Sequence, residues 1–213
     1  MTGLTLSDAS AHMVTANGNE VDLRYPQVST ITLADISHHL AQINRYTGAC
    51  RRPFSVAEHS LLVLEIVERA FTSDVHGKLA ALMHDAHEAY TQDLSTPAKG
   101  QVGDAWHAFE GRMQRAVLSA FALHGAMHYH AVMIKQADLI ALATERAQLL
   151  PNGPGISLWP CLVHVNPVSW VDLMAPERCA MTWQDWRDRF KDEADALDYG
   201  RNLALYKKHG VAR

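Results

Sequence analysis

Residues 84–93, HDAHEAYTQD, put two imidazoles (His84, His87) and three carboxylates (Asp85, Glu88, Asp93) directly after the apolar run LAALM. Titratable groups pressed into hydrophobic sequence are costly unless they are paired, hydrogen-bonded or bound to a cation. On a helix, His84 and Glu88 stand at i and i+4, and Asp85 and Glu88 at i and i+3, so these side chains share one side. His84 and Asp85 lie about 100° apart around the axis, and an ion set between them would receive one nitrogen and one oxygen. Such donors suit Mn²⁺, Fe²⁺, Co²⁺, Ni²⁺ or Zn²⁺. Two ligands are too few, so neighbouring segments must supply others. His59 is the one histidine inside the apolar SVAEHSLLVLEIV, and Asp138 is a carboxylate on the stripe Ile134, Ala141, Glu145. Together His59, His84, Asp85 and Asp138 would close around one ion, leaving positions for water and substrate. Glu88 would then stand as a base, with Asp93 orienting the water or Glu88.

Each residue alone has a plainer explanation. A lone buried histidine is more often a hydrogen-bonded core residue than a ligand, and a lone carboxylate such as Asp138 more often pairs with an arginine. Interior placement on three separate helices is what favours a shared ion. Other histidines carry less. His38-His39 flank an apolar stripe and read as structural; His124, His128 and His130 sit at an expected helix break around Gly125. A zinc-protease HExxH is absent, since Thr91 stands where its second histidine would be. No GxGxxG or P-loop occurs, GPG at 153–155 is turn chemistry, and Trp183 and Trp186 read as core or cover.

The chain that must position these groups has 213 residues, 48% hydrophobic and 20% charged, the composition of one globular domain. Its net charge of -4 excludes a general duplex nucleic-acid binder, which carries a basic surplus to displace counterions. Basic residues are scattered, apart from Arg51-Arg52 and Lys207-Lys208. Cys50, Cys161 and Cys179 are widely spaced without a CxxC pair, which predicts reduced thiols and a cytoplasmic location. The N-terminal MTGLTLSDASAHM lacks the basic start and apolar run of a signal peptide. No apolar run approaches the roughly 20 residues of a membrane span, so no membrane partner is expected.

The patterning predicts one all-α helical bundle over residues 1–213 with a small N-terminal β-hairpin. The hairpin spans about 10–25, with SAHMVTA and EVDLRY around Asn17-Gly18. The helical core spans about 30–150. Thr32 with Asp35, and Ser55 with Glu58, have capping-box spacing. The helix after Ser55 is apolar on nearly every face and should be buried at the centre. One helix should run from Val75 through LAALMHDAHEAY on the stripe Leu79, Met83, Ala86, Tyr90, ending in a loop DLSTPAKG. A fourth carries Trp106, Phe109, Met113, Val117 and Ala120, and a fifth runs from about Tyr129 to Leu150. Residues 151–180 read as a proline-rich ordered loop, and TWQDWRDRFKDEADAL as a last amphipathic helix.

The order His59, His84-Asp85, Asp138 resembles the H…HD…D signature of the HD-domain metal-dependent phosphohydrolases, over roughly residues 30–150. SVAEHSLLV and ALMHDAHEAYTQDLSTPAK are similar to segments of the bacterial HD-domain 5′-deoxynucleotidases, which share HDxxE, a following Asp, and a Leu-x-Thr-Pro-x-Lys loop. Here those are His84, Asp85, Glu88, Asp93, Leu94, Thr96, Pro97 and Lys99. The hairpin followed by DISHHLAQINRYTG also resembles phage and bacterial HD hydrolases, some acting on deoxynucleoside triphosphates. Ala89 separates the chain from the HDxxED alarmone hydrolases, and His87-Glu88 from the HDxGK cyclic-dinucleotide phosphodiesterases. The larger triphosphohydrolases' HDxGHxPFGH is absent.

The resemblance implies an enzyme holding one divalent ion (Mn, Co, Zn, Fe, Ni or Mg) on His59, His84, Asp85 and Asp138. Glu88 and Asp93 would be catalytic. Arg45 would clamp phosphate and Tyr46, where the nucleotidases carry Trp, would pack on sugar or base; Lys99 and Arg52 are further phosphate candidates. The expected substrate is a deoxynucleoside 5′-monophosphate, with a deoxynucleoside triphosphate as the alternative and a non-catalytic metal- or nucleotide-binding sensor as the rival of another class. The nucleotidase relatives also imply a homodimer.

Overall fold

The computed structural model describes residues 11–209 except 152, 154 and 158, without the side chains of 204–209. Ser10, two residues of the PNGPG turn and the side chains of Lys207-Lys208 therefore lie outside the described residues. Within them the fold is all-α with one two-stranded hairpin, as the patterning predicts.

Strands β1 (His12–Val14) and β2 (Glu20–Asp22) pair antiparallel with Met13 opposite Val21. The connection is longer than a two-residue turn. Residues 15–19 close it through Thr15 N–H on the Asn19 carbonyl (2.9 Å), and Gly18 supplies a positive φ of 79°. Thr32 caps α1 (Leu33–Gln42) by accepting from the Asp35 amide. The fully buried Asp35 carboxylate does not complete a capping box. It accepts from Asn17 N–H (3.1 Å), Asn17 Nδ2 (2.7 Å), Asn19 Nδ2 (2.8 Å) and the Thr32 hydroxyl (2.7 Å), tying the hairpin loop to the helix. His39 adds a second tie, accepting from Ala16 N–H (3.2 Å) at Nε2 and facing the Ala89 carbonyl (2.9 Å) at Nδ1.

Helix α2 (Val56–Ala70) is the central rod, capped by Ser55 and buried over nearly all of its first twelve positions. One apolar cluster, including Ile36, Leu40, Val56, Leu79, Met83, Met113 and Phe190, lies on one side of it. A second, with Phe54, Leu62, Ile66, Ile134, Ala141, Leu149 and Leu173, lies on the other. An all-apolar helix stays stable only between two such layers. Helix α2 packs against α1, α3 (Val75–Leu82), α8 (Ala131–Gln148) and α10 (Trp183–His209).

The expected single helix from Val75 through Tyr90 is broken. Helix α3 ends at Leu82, tight turns follow (Ala86 N–H on Met83 O, 3.1 Å; Glu88 N–H on Asp85 O, 2.9 Å), and a short α4 covers Glu88–Thr91. The stripe Leu79, Met83, Ala86, Tyr90 is buried throughout, so apolar spacing carried no sign of the break. The expected loop at 93–100 is instead helical from Thr96, in α5 (Thr96–Val102), because Pro97 in a first turn starts a helix rather than ending one. Helix α6 (Asp104–Ala120) is as expected. The fifth helix is as expected, as α8, but a short α7 (His124–Tyr129) precedes it and includes Gly125, where a break was expected. The proline-rich segment contains a 3₁₀ turn at Pro160–Leu162 and α9 (Pro176–Ala180), and α10 runs beyond its expected end. No helix of the described residues is long and apolar enough to cross a membrane.

Asp35 gives a test of the hairpin tie. Burial raises its pKa, but hydrogen bonds from Asn19, Thr32 and Asn17 outweigh this and hold it at about 2. Its stabilisation is therefore present above the unfolded value near 4 and is lost as pH falls toward 2. Asp35→Ala should cost about 1–3 kcal/mol, read as a lower melting temperature at pH 7. The gap from wild type should shrink between pH 4 and 2.

Candidate metal centre

His59 is fully buried in α2, and both of its ring nitrogens are engaged. Nδ1 lies 2.6 Å from Glu145 Oε1 on α8. Nε2 lies 3.4 Å from His84 Nε2, 3.4 Å from Asp138 Oδ1 and 3.6 Å from Asp85 Oδ2. His84 is oriented in the same sense, with Nδ1 2.9 Å from the Ala81 carbonyl and Nε2 3.1 Å from Asp85 Oδ2. Glu145 and the Ala81 carbonyl are acceptors, so each ring carries its proton on Nδ1. Both Nε2 atoms then point into the same small space as two carboxylate oxygens. Four such atoms can be bridged by a metal ion or, without one, by protons on the imidazoles. Ligand atoms of His59, His84 and Asp138 all fall within 4.8 Å of one another. Two imidazole nitrogens and carboxylate oxygens fit a divalent ion such as Mn²⁺, Fe²⁺, Co²⁺ or Zn²⁺.

The broken helix makes this convergence possible. On a regular helix adjacent side chains diverge by about 100°. The turns after Leu82 instead bring His84 and Asp85 to within 3.1 Å of each other. Helix α8 contributes Asp138 and Glu145 two turns apart on one face, around Ala141.

The electrostatics agree with a cation-seeking site. Burial and Arg45 lower the His59 pKa, yet Glu145 and Asp138 outweigh them and lift it to about 9. Burial raises Asp85 and Asp138, but the His84 and His59 charges hold both carboxyls well below their ordinary range. Glu88 goes the other way: burial first, then Asp85 and Asp93, hold its carboxyl well above the usual range. Asp93 is raised too, by burial foremost, against the opposing pull of Arg45. A divalent ion among these carboxylates would reverse that logic and favour their charged forms.

The remaining expected site residues divide. Arg45 is buried beside the ligands, with Nε 3.2 Å from Glu145 Oε2 and one terminal nitrogen 3.8 Å from Asp85 Oδ2. Tyr46 donates its hydroxyl to the same Glu145 oxygen, and its ring stands 6.1 Å from Trp159. Both residues thus grip the frame of the site rather than extending freely toward a ligand. Tyr46, Thr47 and Gly48 reach this position through three successive positive φ angles (56°, 54°, 80°), and Gln92, just before Asp93, has φ 70°. Non-glycine residues in such conformations are strained. Lys99 bonds Glu110 Oε1 at 2.5 Å, within electrostatic reach of Glu88 and Asp85. Arg52 corrects an expectation. Its guanidinium forks onto Glu58 (2.6 and 2.7 Å) and the Leu173 carbonyl, fastening the C-terminal segment to α2, and it has no contact with the ligand set.

Glu145 was legible only as a member of a stripe. Its signal was the one that singled out Asp138, a carboxylate on an apolar face, seven residues further along the same helix. His87 and Glu110 also approach each other (Nε2 to Oε1, 3.6 Å), a pairing that no spacing rule suggested.

No family model matches the chain. It is 32% identical over 163 residues to "Uncharacterized protein YfdR" of Escherichia coli (strain K12), covering 76% of this chain and 84% of that protein. It is 35% identical over 137 residues to "Uncharacterized protein RCAP_rcc00048" of Rhodobacter capsulatus, covering 62% of this chain and 70% of that protein. The chain belongs to the family that includes these two proteins.

Glu145→Ala should both loosen the fold and weaken ion binding. It leaves the Arg45 charge buried without its partner, a loss of about 3–5 kcal/mol. It also frees the His59 ring, which should weaken Mn²⁺ binding by about 10–100-fold. Thermal melts and a Mn²⁺ titration read the two effects. Wild-type values in both would show that His59 and Arg45 do not depend on this carboxylate.

Proposed function

We propose that this chain is a metal-dependent phosphohydrolase of the HD type, acting on a nucleotide phosphate ester, most directly a deoxynucleoside 5′-monophosphate to give nucleoside and phosphate. The observation that supports it is the convergence of the His59 and His84 Nε2 atoms with the Asp85 and Asp138 oxygens beside the buried Glu88. His59, His84, Asp85 and Asp138 would hold the ion. When bound, a divalent ion supplies Lewis acidity, polarising a phosphoryl oxygen and making water a better nucleophile near neutral pH.

The protein's own residues would do the rest. Glu88 accepts a proton from the attacking water, and Asp93 holds Glu88 or that water in line. Water oxygen forms a bond to phosphorus, the ester P–O bond breaks, and the departing alkoxide takes the proton that Glu88 accepted. Lys99 supplies positive charge within reach of Glu88 and Asp85. Arg45 keeps Glu145 and Asp85 in register and adds its charge to the phosphate side of the site. A purely structural ion would need neither Glu88 nor Asp93 nearby, which sets this reading above a non-catalytic sensor.

Metal-stripped protein should be reloaded with Mn²⁺, Co²⁺, Zn²⁺ or Mg²⁺ and given the four deoxynucleoside monophosphates and four triphosphates, with products resolved chromatographically. Nucleoside plus orthophosphate from the monophosphates is the expected result; triphosphate release would move the activity to deoxynucleoside triphosphates. Glu88→Ala should lower turnover by about 10²–10⁴-fold while retaining the ion on His59, His84, Asp85 and Asp138. Full activity in both Glu88→Ala and Asp138→Ala would overturn the assignment.

A further inference from the structure

Next to the first ligand set, α4 packs on α6 and brings His87 and Glu88 against Glu110. One ligand atom from each of the three lies within 4.8 Å of the other two. His87 and Glu88 are 6% and 3% exposed, and His87 Nδ1 and Glu88 Oε2 have no hydrogen-bond partner. His87 faces Glu110 through Nε2 at 3.6 Å; buried polar atoms are ordinarily satisfied, so the unpartnered second atoms of His87 and Glu88 need an explanation. Lys99 meets Glu110 at 2.5 Å but leaves both orphans unmet.

The wider charge balance points the same way. Asp85, Glu88, Asp93, Glu110, Asp138 and Glu145 are gathered in one electrostatic neighbourhood with Arg45 and Lys99. One divalent ion on the first set leaves the ensemble negative. Glu88 sits where that excess is felt most, crowded by Asp85 and Asp93. A second dication at Glu88 and Glu110 would offset most of the remainder, with twice the charge of the ammonium now on Glu110.

We propose that His87, Glu88 and Glu110 bind a second divalent cation, of the Mn²⁺, Co²⁺ or Zn²⁺ class, in exchange for the Lys99 ammonium. One imidazole and two carboxylates are suitable donors for these ions. Glu88 has two oxygens, so it can face this ion with one and keep a proton acceptor in the other. The exchange frees the Lys99 side chain from Glu110. If the phosphohydrolase reading above holds, the released ammonium becomes available to substrate phosphate only when the second ion is in place. Ion binding itself does not rest on that reading.

The test is a count of bound Mn²⁺ on metal-stripped, full-length protein, by elemental analysis and by titration against the electron paramagnetic resonance signal of free Mn²⁺. Wild type should take two equivalents in two classes. Glu110→Gln and His87→Gln should each lose one class and keep the other, while Asp138→Asn loses the opposite class. Lys99→Met removes the competing ammonium and should tighten the Glu110-dependent class by about tenfold or more. Because Lys99 is partly exposed, that variant keeps the test open even if His87→Gln fails to fold. A single wild-type equivalent that vanishes in Asp138→Asn would overturn the second site and leave the phosphohydrolase reading standing. Two equivalents unaffected by Glu110→Gln and Lys99→Met would overturn it as well. No binding at all would remove both sites together.

Discussion

The His59 ring is the constraint on which the rest of the site depends. It sits in the middle of the most buried helix, with Glu145 on one nitrogen and the ligand cluster on the other. A neutral imidazole can satisfy both sides only if its proton is on the Glu145 side, which turns the remaining lone pair inward. Glu145 in turn is held by Arg45 and Tyr46, and Arg45 approaches Asp85. The polar interior is therefore one connected network running from the end of α1 to α8. Removing any member leaves another buried and unpaired.

Much of this was legible in the sequence. The apolar surroundings of α2 marked His59 as a buried polar group, and the apolar stripe of α8 marked Asp138 in the same way. Capping at Thr32 and Ser55 was readable because a side-chain oxygen three residues before an acidic residue has a local cause. What could not be read were the non-local partners of charged residues. Glu58 and Asp35 looked like capping-box acids, yet one binds Arg52 and Arg178 and the other binds the hairpin asparagines. Arg52 looked free for phosphate because nothing in its neighbourhood announces a carbonyl 121 residues away.

The broken helix at 83–87 was invisible for a different reason. Helical periodicity reports which residues are buried, and the tight turns bury the same ones a helix would. The departure brings the two neighbours together: His84 Nε2 and Asp85 Oδ2 stand 3.1 Å apart. Strain is concentrated nearby as well, at Tyr46, Thr47 and Gln92. Such conformations cost about 1–3 kcal/mol each and persist here where a tyrosine hydroxyl and a carboxylate must be set beside the network.

The contact between His59 and Glu145 spans 86 residues of chain. Closing so long a loop is entropically expensive and slow compared with forming the helices inside it. The first half of the molecule can fold into α1, α2 and α3 with His59 and His84 already present, but the proton on His59 has no assigned side until α8 arrives. The arrangement of the centre thus depends on a long-range contact and not on the local helices alone. A chain growing from its N-terminus carries His59 and His84 before Asp138 and Glu145 exist, so the pair gains its carboxylate partners on α8 only later.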